Sequence, residues 1–293
     1  MPSNPVQSTL TTDHAVSRPD RREDTTARLA YTRLGTGEPL VLLHGQGLSR
    51  RSWEPVLTEL ARERDVIAVD LPGHGDSPRQ PRGAGNTPLD QAHAVAELLD
   101  QLGLASVHVA GNSVGGWVAL ELGRLGRART ITALSPGGLW GRHAPIIIGT
   151  AMRQSRANAR IVRRLAPHAP RTRLARALFM AQLSGHPSKV PYVMANQAIH
   201  DMATAPGFRE TLHGAERTGF RDGAAIRVPV TVAFGSRDRV IPPVLARRRA
   251  QLPPQTRWIE IKEAGHVPMF DQPGAVVALL LHASGPGAGE PIR

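Results

Sequence analysis

The 293-residue chain has no cysteine. Disulfides, thiolate nucleophiles and cysteine-based zinc or iron–sulfur sites are therefore excluded. Long apolar runs are missing too. The candidate "APIIIGTAM" lies mid-chain and is far short of the ~20 residues that a membrane span needs. No membrane partner is expected. The opening stretch, "MPSNPVQSTLTTDHAVSRPDRREDTTAR", lacks the apolar segment of a secretory signal. Its serine, threonine, proline and charge content predicts a disordered arm over 1–27 and a cytoplasmic location. Lysine is scarce: of 36 basic residues, only Lys189 and Lys262 are not arginine. A net charge of +12 would suit a nucleic-acid binder. The arginines, however, are spread along the chain, with no zinc-finger spacing, RNP-type aromatic motif or strong helix-turn-helix pattern beside them. Nucleic acid is not expected as a partner.

What the chain does have is an alternation of short apolar runs and longer amphipathic ones. "PLVLLHG", "RDVIAVDLPG", "SVHVAGNS", "TITALSPGG", "VPVTVAFGSRD" and "TRWIEIKEAGH" read as strands. Between them, "SWEPVLTELA" (with Ser52 as N-cap), "LDQAHAVAELLDQLG" and "VGGWVALELGRLG" read as helices, and "GAVVALLLHAS" closes the pattern. Strand–helix–strand repetition predicts an α/β fold with a mostly parallel, doubly wound sheet. Strands that are apolar throughout fit a sheet covered on both faces. From Leu139 to about Asp222 the strands stop, and helical segments broken by prolines take over. The expected organisation is a core over 28–138 and 226–284, a helical cap over 139–225 and a disordered tail over 285–293.

The chemistry starts at "GNSVG", residues 111–115. A G-x-S-x-G pentapeptide between a strand and a helix describes a sharp turn that presents its serine at the sheet edge. The turn crowds the positions two before and two after Ser113, which Gly111 and Gly115 accommodate, while Gly116 lets the helix sit close. A serine hydroxyl needs a base, an orienting carboxylate and donors for an oxyanion. Asp238 follows the strand 228–235, and His266 follows the last strand. Both fall at carboxyl ends of strands, where open parallel sheets carry their sites. The strand 129–134 runs into "LSPGG", which offers no carboxylate. His44 reads as a structural hydrogen-bonding residue, and Asp70, His74 and Asp76 as turn formers. No H-E-x-x-H or comparable spacing appears, so neither a metal nor a cofactor is expected.

With "HGQG", "DLPGHGDS", "GNSVGG", "GSRDRVIP" and "GHVP" in this order, the chain resembles the α/β-hydrolase superfamily, serine-nucleophile branch with a helical cap. The resemblance covers roughly 30–138 and 226–284. It implies a Ser113–His266–Asp238 triad and an oxyanion hole formed by the N–H groups of Val114 and Gln46. Haloalkane dehalogenases and epoxide hydrolases of this superfamily use Asp at the elbow, so Ser113 argues for acyl-enzyme chemistry instead. The expected function is hydrolysis of a carboxylic ester, lactone or thioester of a mid-sized apolar substrate. The alternatives are a carbon–carbon bond hydrolase or perhydrolase with the same triad, or a non-catalytic small-ligand-binding relative. Trp140, Met152, Phe179, Met194 and Val267 are the expected substrate-binding residues. Arg153, Arg156, Arg160, Arg163 and Arg164 recur at helical spacing. Such a stripe would suit an acidic partner such as an acyl carrier or a coenzyme A thioester.

Overall fold

The structure, a computed structural model, describes residues 22–24, 29–80, 85–241 and 247–285. Eight strands form one sheet in the order β1-β2-β4-β3-β5-β6-β7-β8. They are β1 (Arg22–Asp24), β2 (Tyr31–Leu34), β3 (Glu38–Leu43), β4 (Arg64–Val69), β5 (Val107–Asn112), β6 (Ala128–Leu134), β7 (Val230–Gly235) and β8 (Arg257–Ile261). From β4 to β8 across the sheet every pairing is parallel; β1 and β2 are antiparallel additions at one edge. This is the doubly wound sheet that the alternating sequence pattern predicts.

The two faces follow from strand alternation. Val41, Leu43, Ile67 and Val69 point into a cluster with Val95, Leu99, Val118 and Leu122 of α2 (Pro88–Gln101) and α3 (Val114–Arg124). Leu40, Leu42, Val66 and Ala68 point the other way, onto Val56 and Leu60 of α1 (Glu54–Leu60) and Val276 and Leu280 of the last helix. A Thr87/Asp90 capping box starts α2, satisfying N–H groups that a helix end leaves open. Ser52 does not cap α1. Ser49 instead accepts the Arg51 N–H at the head of a 3-10 turn, Arg50–Trp53, and Trp53 precedes the helix. Of the arm over 1–27, Arg22–Asp24 pairs with β2; the other residues of that stretch lie outside the described ones. Of the tail over 285–293, only Gly285 is described.

Between β6 and β7 come four helices: α4 (Ile146–Leu165), α5 (Arg173–Phe179), α6 (Tyr192–Thr204) and α7 (Phe208–Glu216). Met152, Ala159 and Val162 of α4 and Ile199 and Met202 of α6 are buried in the same cluster. The insertion touches loops that leave carboxyl ends of strands. Met202 and Phe208 lie against Gly47, beyond β3, and Leu183 O accepts the Val267 N–H, beyond β8. The last helix, α8, is Pro273–Ala283. Among the described residues no helix is long and apolar enough to cross a membrane.

Candidate active site

Strand order reverses at β3, which has β4 on one side and β5 on the other. A crevice opens at such a point. Leu43 pairs with Gly111, so the loops leaving β3 and β5 emerge side by side, and the second of them carries Ser113. Its backbone is bent to φ 56°, ψ −116°, a conformation that costs about 1–3 kcal/mol in a non-glycine residue. Backbone bonds hold it there: Ser113 N donates to Leu134 O at 2.9 Å, and Ser113 O accepts from Trp117 N and Gly137 N at 3.1 and 3.0 Å. The glycines of the motif make the turn sterically possible. A Cβ at Gly111 would overlap Gly115 O, and one at Gly115 would overlap Leu43 O.

His266 donates from Nδ1 to the Asp238 carboxylate, 3.1 Å from each oxygen. The carboxylate is fully buried. It also accepts the N–H groups of Val240 and Ile241 at 2.8 and 3.1 Å. Burial alone would raise its pKa, but His266 and these two donors outweigh it and hold the carboxyl below the usual range. With the Nδ1 proton committed to Asp238, Nε2 is the ring's free acceptor. Asn112, one residue before Ser113, ties the two loops together. Its Nδ2 donates to His266 O at 2.8 Å and to Leu134 O at 3.2 Å. The Ser113 hydroxyl itself makes no hydrogen bond among the described residues. Ser113 is half-buried.

The loop after β3 is organised by His44. Its Nε2 accepts the Leu71 N–H at 2.9 Å, which leaves the proton on Nδ1, and Nδ1 meets Gly45 O at 2.8 Å. Gly45 O also accepts the Leu48 N–H. The C=O and N–H of one planar peptide point in opposite directions, so fixing Gly45 O also fixes the Gln46 N–H. That N–H and the N–H of Val114, first residue of α3, donate to no acceptor among the described residues. A side chain at Gly45 would press on Ser113 Cβ, which places this loop directly beside the serine. The Gln46 side chain is occupied elsewhere, donating to Phe208 O at 2.8 Å.

The Asp70 carboxylate accepts the N–H groups of Arg50 and Asp76 at 2.6 and 2.9 Å, so it shapes a turn. The fully buried rings of His44 and His74 lie 5.4 Å apart. Burial pushes His44 down to about 4 and, with His44 adding to it, His74 to about 3. Histidine in the unfolded chain titrates near 6.5. Each group's folded pKa is the lower one, so the unfolded chain takes up the proton first. Stability is lost as pH falls through about 6.5 toward the folded values, by up to about 1.4 kcal/mol per pH unit per histidine. Denaturant midpoints of wild type and His74→Leu between about pH 6 and 4 should show a shallower slope in the variant by that amount. Equal slopes would mean that His74 is not buried in neutral form.

Of the five expected substrate-binding residues, Met152 and Phe179 line an apolar cavity inside the insertion, with Met180, Leu183, Ile199 and Met202. The other three are placed differently. Trp140 packs edge-on against Trp117, 5.5 Å between centroids, and its Nε1 donates to Thr218 O. Met194 faces a separate hollow with Leu48, Gln197 and Phe270. Val267 is fully buried. Of the cavity lining, Met202 contacts Gly47, in the loop after β3, and Leu183 is bonded to the residue after His266. Two polar positions escape a sequence reading. Asn112 occupies a variable place in G-x-S-x-G. Asp271 clamps the His266 loop to the insertion: it accepts from Gly265 N, Gly185 N, Ser184 Oγ and His186 N at 2.8, 2.8, 2.5 and 3.2 Å. A carboxylate five residues after the histidine is the only signal in the sequence.

Residues 40–279 match the sequence profile described as the alpha/beta hydrolase family. An epoxide hydrolase, EphH, of Mycobacterium tuberculosis is 34% identical over 195 residues, 64% of this chain and 91% of that protein. The dihydrolipoyllysine-residue acetyltransferase component of the acetoin cleaving system of Pseudomonas putida is 31% identical over 248 residues, 79% of this chain but only 59% of that protein. Among solved structures, a thermophilic esterase from Thermogutta terrifontis superposes with a TM-score of 0.67 at 28% identity, covering 86% of this chain and 91% of that one.

Proposed function

The chain belongs to the alpha/beta hydrolase family, and from that premise we propose that it is a serine hydrolase cleaving a carboxylic ester, lactone or thioester through an acyl-enzyme. The observation that carries this reading is the buried His266–Asp238 pair, whose loop Asn112 ties to the one that carries Ser113, bent to φ 56°. His266 Nε2 takes the Ser113 proton as Oγ adds to the acyl carbonyl. The N–H groups of Gln46 and Val114 receive the oxyanion, where fixed donors need no reorganisation. His266 then protonates the leaving oxygen or sulfur, and in the second half-reaction takes a proton from water, which attacks the acyl carbon and frees Ser113. The apolar cavity beside Met202 takes the acyl or alcohol portion of the substrate, and its methionines give an adaptable wall.

The relative named an epoxide hydrolase suggests a competing activity. Opening an epoxide through an alkyl–enzyme ester needs a carboxylate nucleophile that water can later release. This elbow carries Ser113, so the acyl reading is favoured. A fluorophosphonate probe should label Ser113 in wild type and leave Ser113→Ala unlabelled. Absence of labelling, together with epoxide opening that persists in Ser113→Ala, would overturn the proposal.

A further inference from the structure

We propose that Ile161 and Leu165 of α4 and Leu174 and Leu178 of α5 form a docking patch for an anionic lipid surface, beside the mouth of the apolar cavity. These four side chains are 57, 75, 73 and 67% exposed. A scattered exposed leucine needs no explanation, but a cluster does. Within each helix the two residues are four apart and so share a face. The two helices that carry these pairs border the same cavity. Leu178 lines it, and so does Asn158, one helical turn before Ile161.

Charge identifies the occupant. Residues 139–200 contain no aspartate or glutamate, against nine arginines and one lysine. Arg163, Arg164 and Arg173, next to the four apolar residues, are exposed and form no ion pair among the described residues. Apolar tips flanked by arginines match an interface of acyl chains beneath anionic headgroups. A second copy seated patch to patch would instead set these arginines against their own counterparts. The arginine stripe expected from helical spacing is not one continuous surface. Arg156 is buried over Phe208, Arg153 pairs with Glu216, and Arg160 donates to Ala203 O. The cationic surface that remains unpaired lies at the end of α4 that carries the patch. A sequence scan for membrane contact seeks a continuous run and so passes over four residues drawn from two helices.

Docking would let an apolar ester pass from the lipid into the cavity. That step rests on the proposed hydrolase reading; docking itself does not. The test is co-sedimentation of the full chain with phosphatidylcholine vesicles and with vesicles of equal parts phosphatidylcholine and phosphatidylglycerol. Wild type should pellet with the anionic vesicles. Ile161→Ser/Leu165→Ser/Leu174→Ser should bind them roughly tenfold more weakly, and Arg163→Gln/Arg164→Gln/Arg173→Gln should lose the preference for anionic lipid. Ile146→Ser/Ile147→Ser, at the opposite end of α4, should bind as wild type. All three variants should keep the wild-type rate on a short water-soluble ester, which reports an intact fold. Wild type remaining in the supernatant with both vesicles, or apolar-patch variants binding normally, would overturn the proposal. So would a wild-type dimer that the triple serine variant converts to monomer. If no ester is turned over and anionic vesicles are still bound, the hydrolase reading falls and docking stands.

Discussion

Ser113→Ala should lower kcat by about 10⁴–10⁶-fold, with KM changed little. The hydroxyl is the atom on which the proposed acyl-enzyme forms, and among the described residues no other nucleophile shares its position at the end of β5. Because Ser113 and His266 would act as one unit, Ser113→Ala/His266→Ala should be no slower than either single variant. The backbone allows a sharper form of the test. At φ 56° and ψ −116° glycine sits without strain. Ser113→Gly should therefore lose turnover equally while gaining about 1 kcal/mol of stability, read from chemical denaturation. Turnover within tenfold of wild type in both variants would remove Ser113 from the mechanism.

Asp238→Asn should be nearly as damaging, with kcat down about 10⁴-fold, although the shape of the site is retained. The carboxylate accepts the His266 Nδ1 proton and so leaves Nε2 free to take one. An asparagine amide pointing its nitrogen at Nδ1 donates instead, which moves the ring proton to Nε2. The imidazole then stands where a base is needed and cannot act as one. Asp238 is held below the usual carboxylate range by His266 and two backbone donors against the opposing effect of burial, so it stays ionised at neutral pH. Steady-state kinetics on one ester would decide the matter. Asp238→Asn retaining more than about a tenth of wild-type kcat would mean that another carboxylate orients the histidine. The end of β6 offers none, since Leu134 is followed by Ser135 and Pro136.

The parts legible in the sequence are those fixed by local sterics or by strand ends. Gly111 and Gly115 announce the turn because any side chain there meets backbone. The sheet was readable because strands covered on both faces must be apolar throughout. The cavity was not, because α4, α5 and α6 contribute to it jointly and no spacing along the chain relates Met152 to Phe179 and Met202. Residue type misleads there as well: Trp140 looks like a pocket wall and is instead packed against Trp117. Arg156 reads as part of the arginine stripe suited to an acidic partner, yet lies buried on Phe208. β1 was invisible for a simpler reason. Its three residues, Arg-Glu-Asp, carry no apolar signal, and only the partner strand reveals them.

The Asp271 clamp makes the insertion and the histidine loop one mechanical part. Four hydrogen bonds from Gly265, Gly185, Ser184 and His186 converge on that single carboxylate, and Val267 adds a fifth tie to Leu183. A hinge that lifted this corner of the insertion would carry the His266 loop with it and change its spacing from the loop of Ser113.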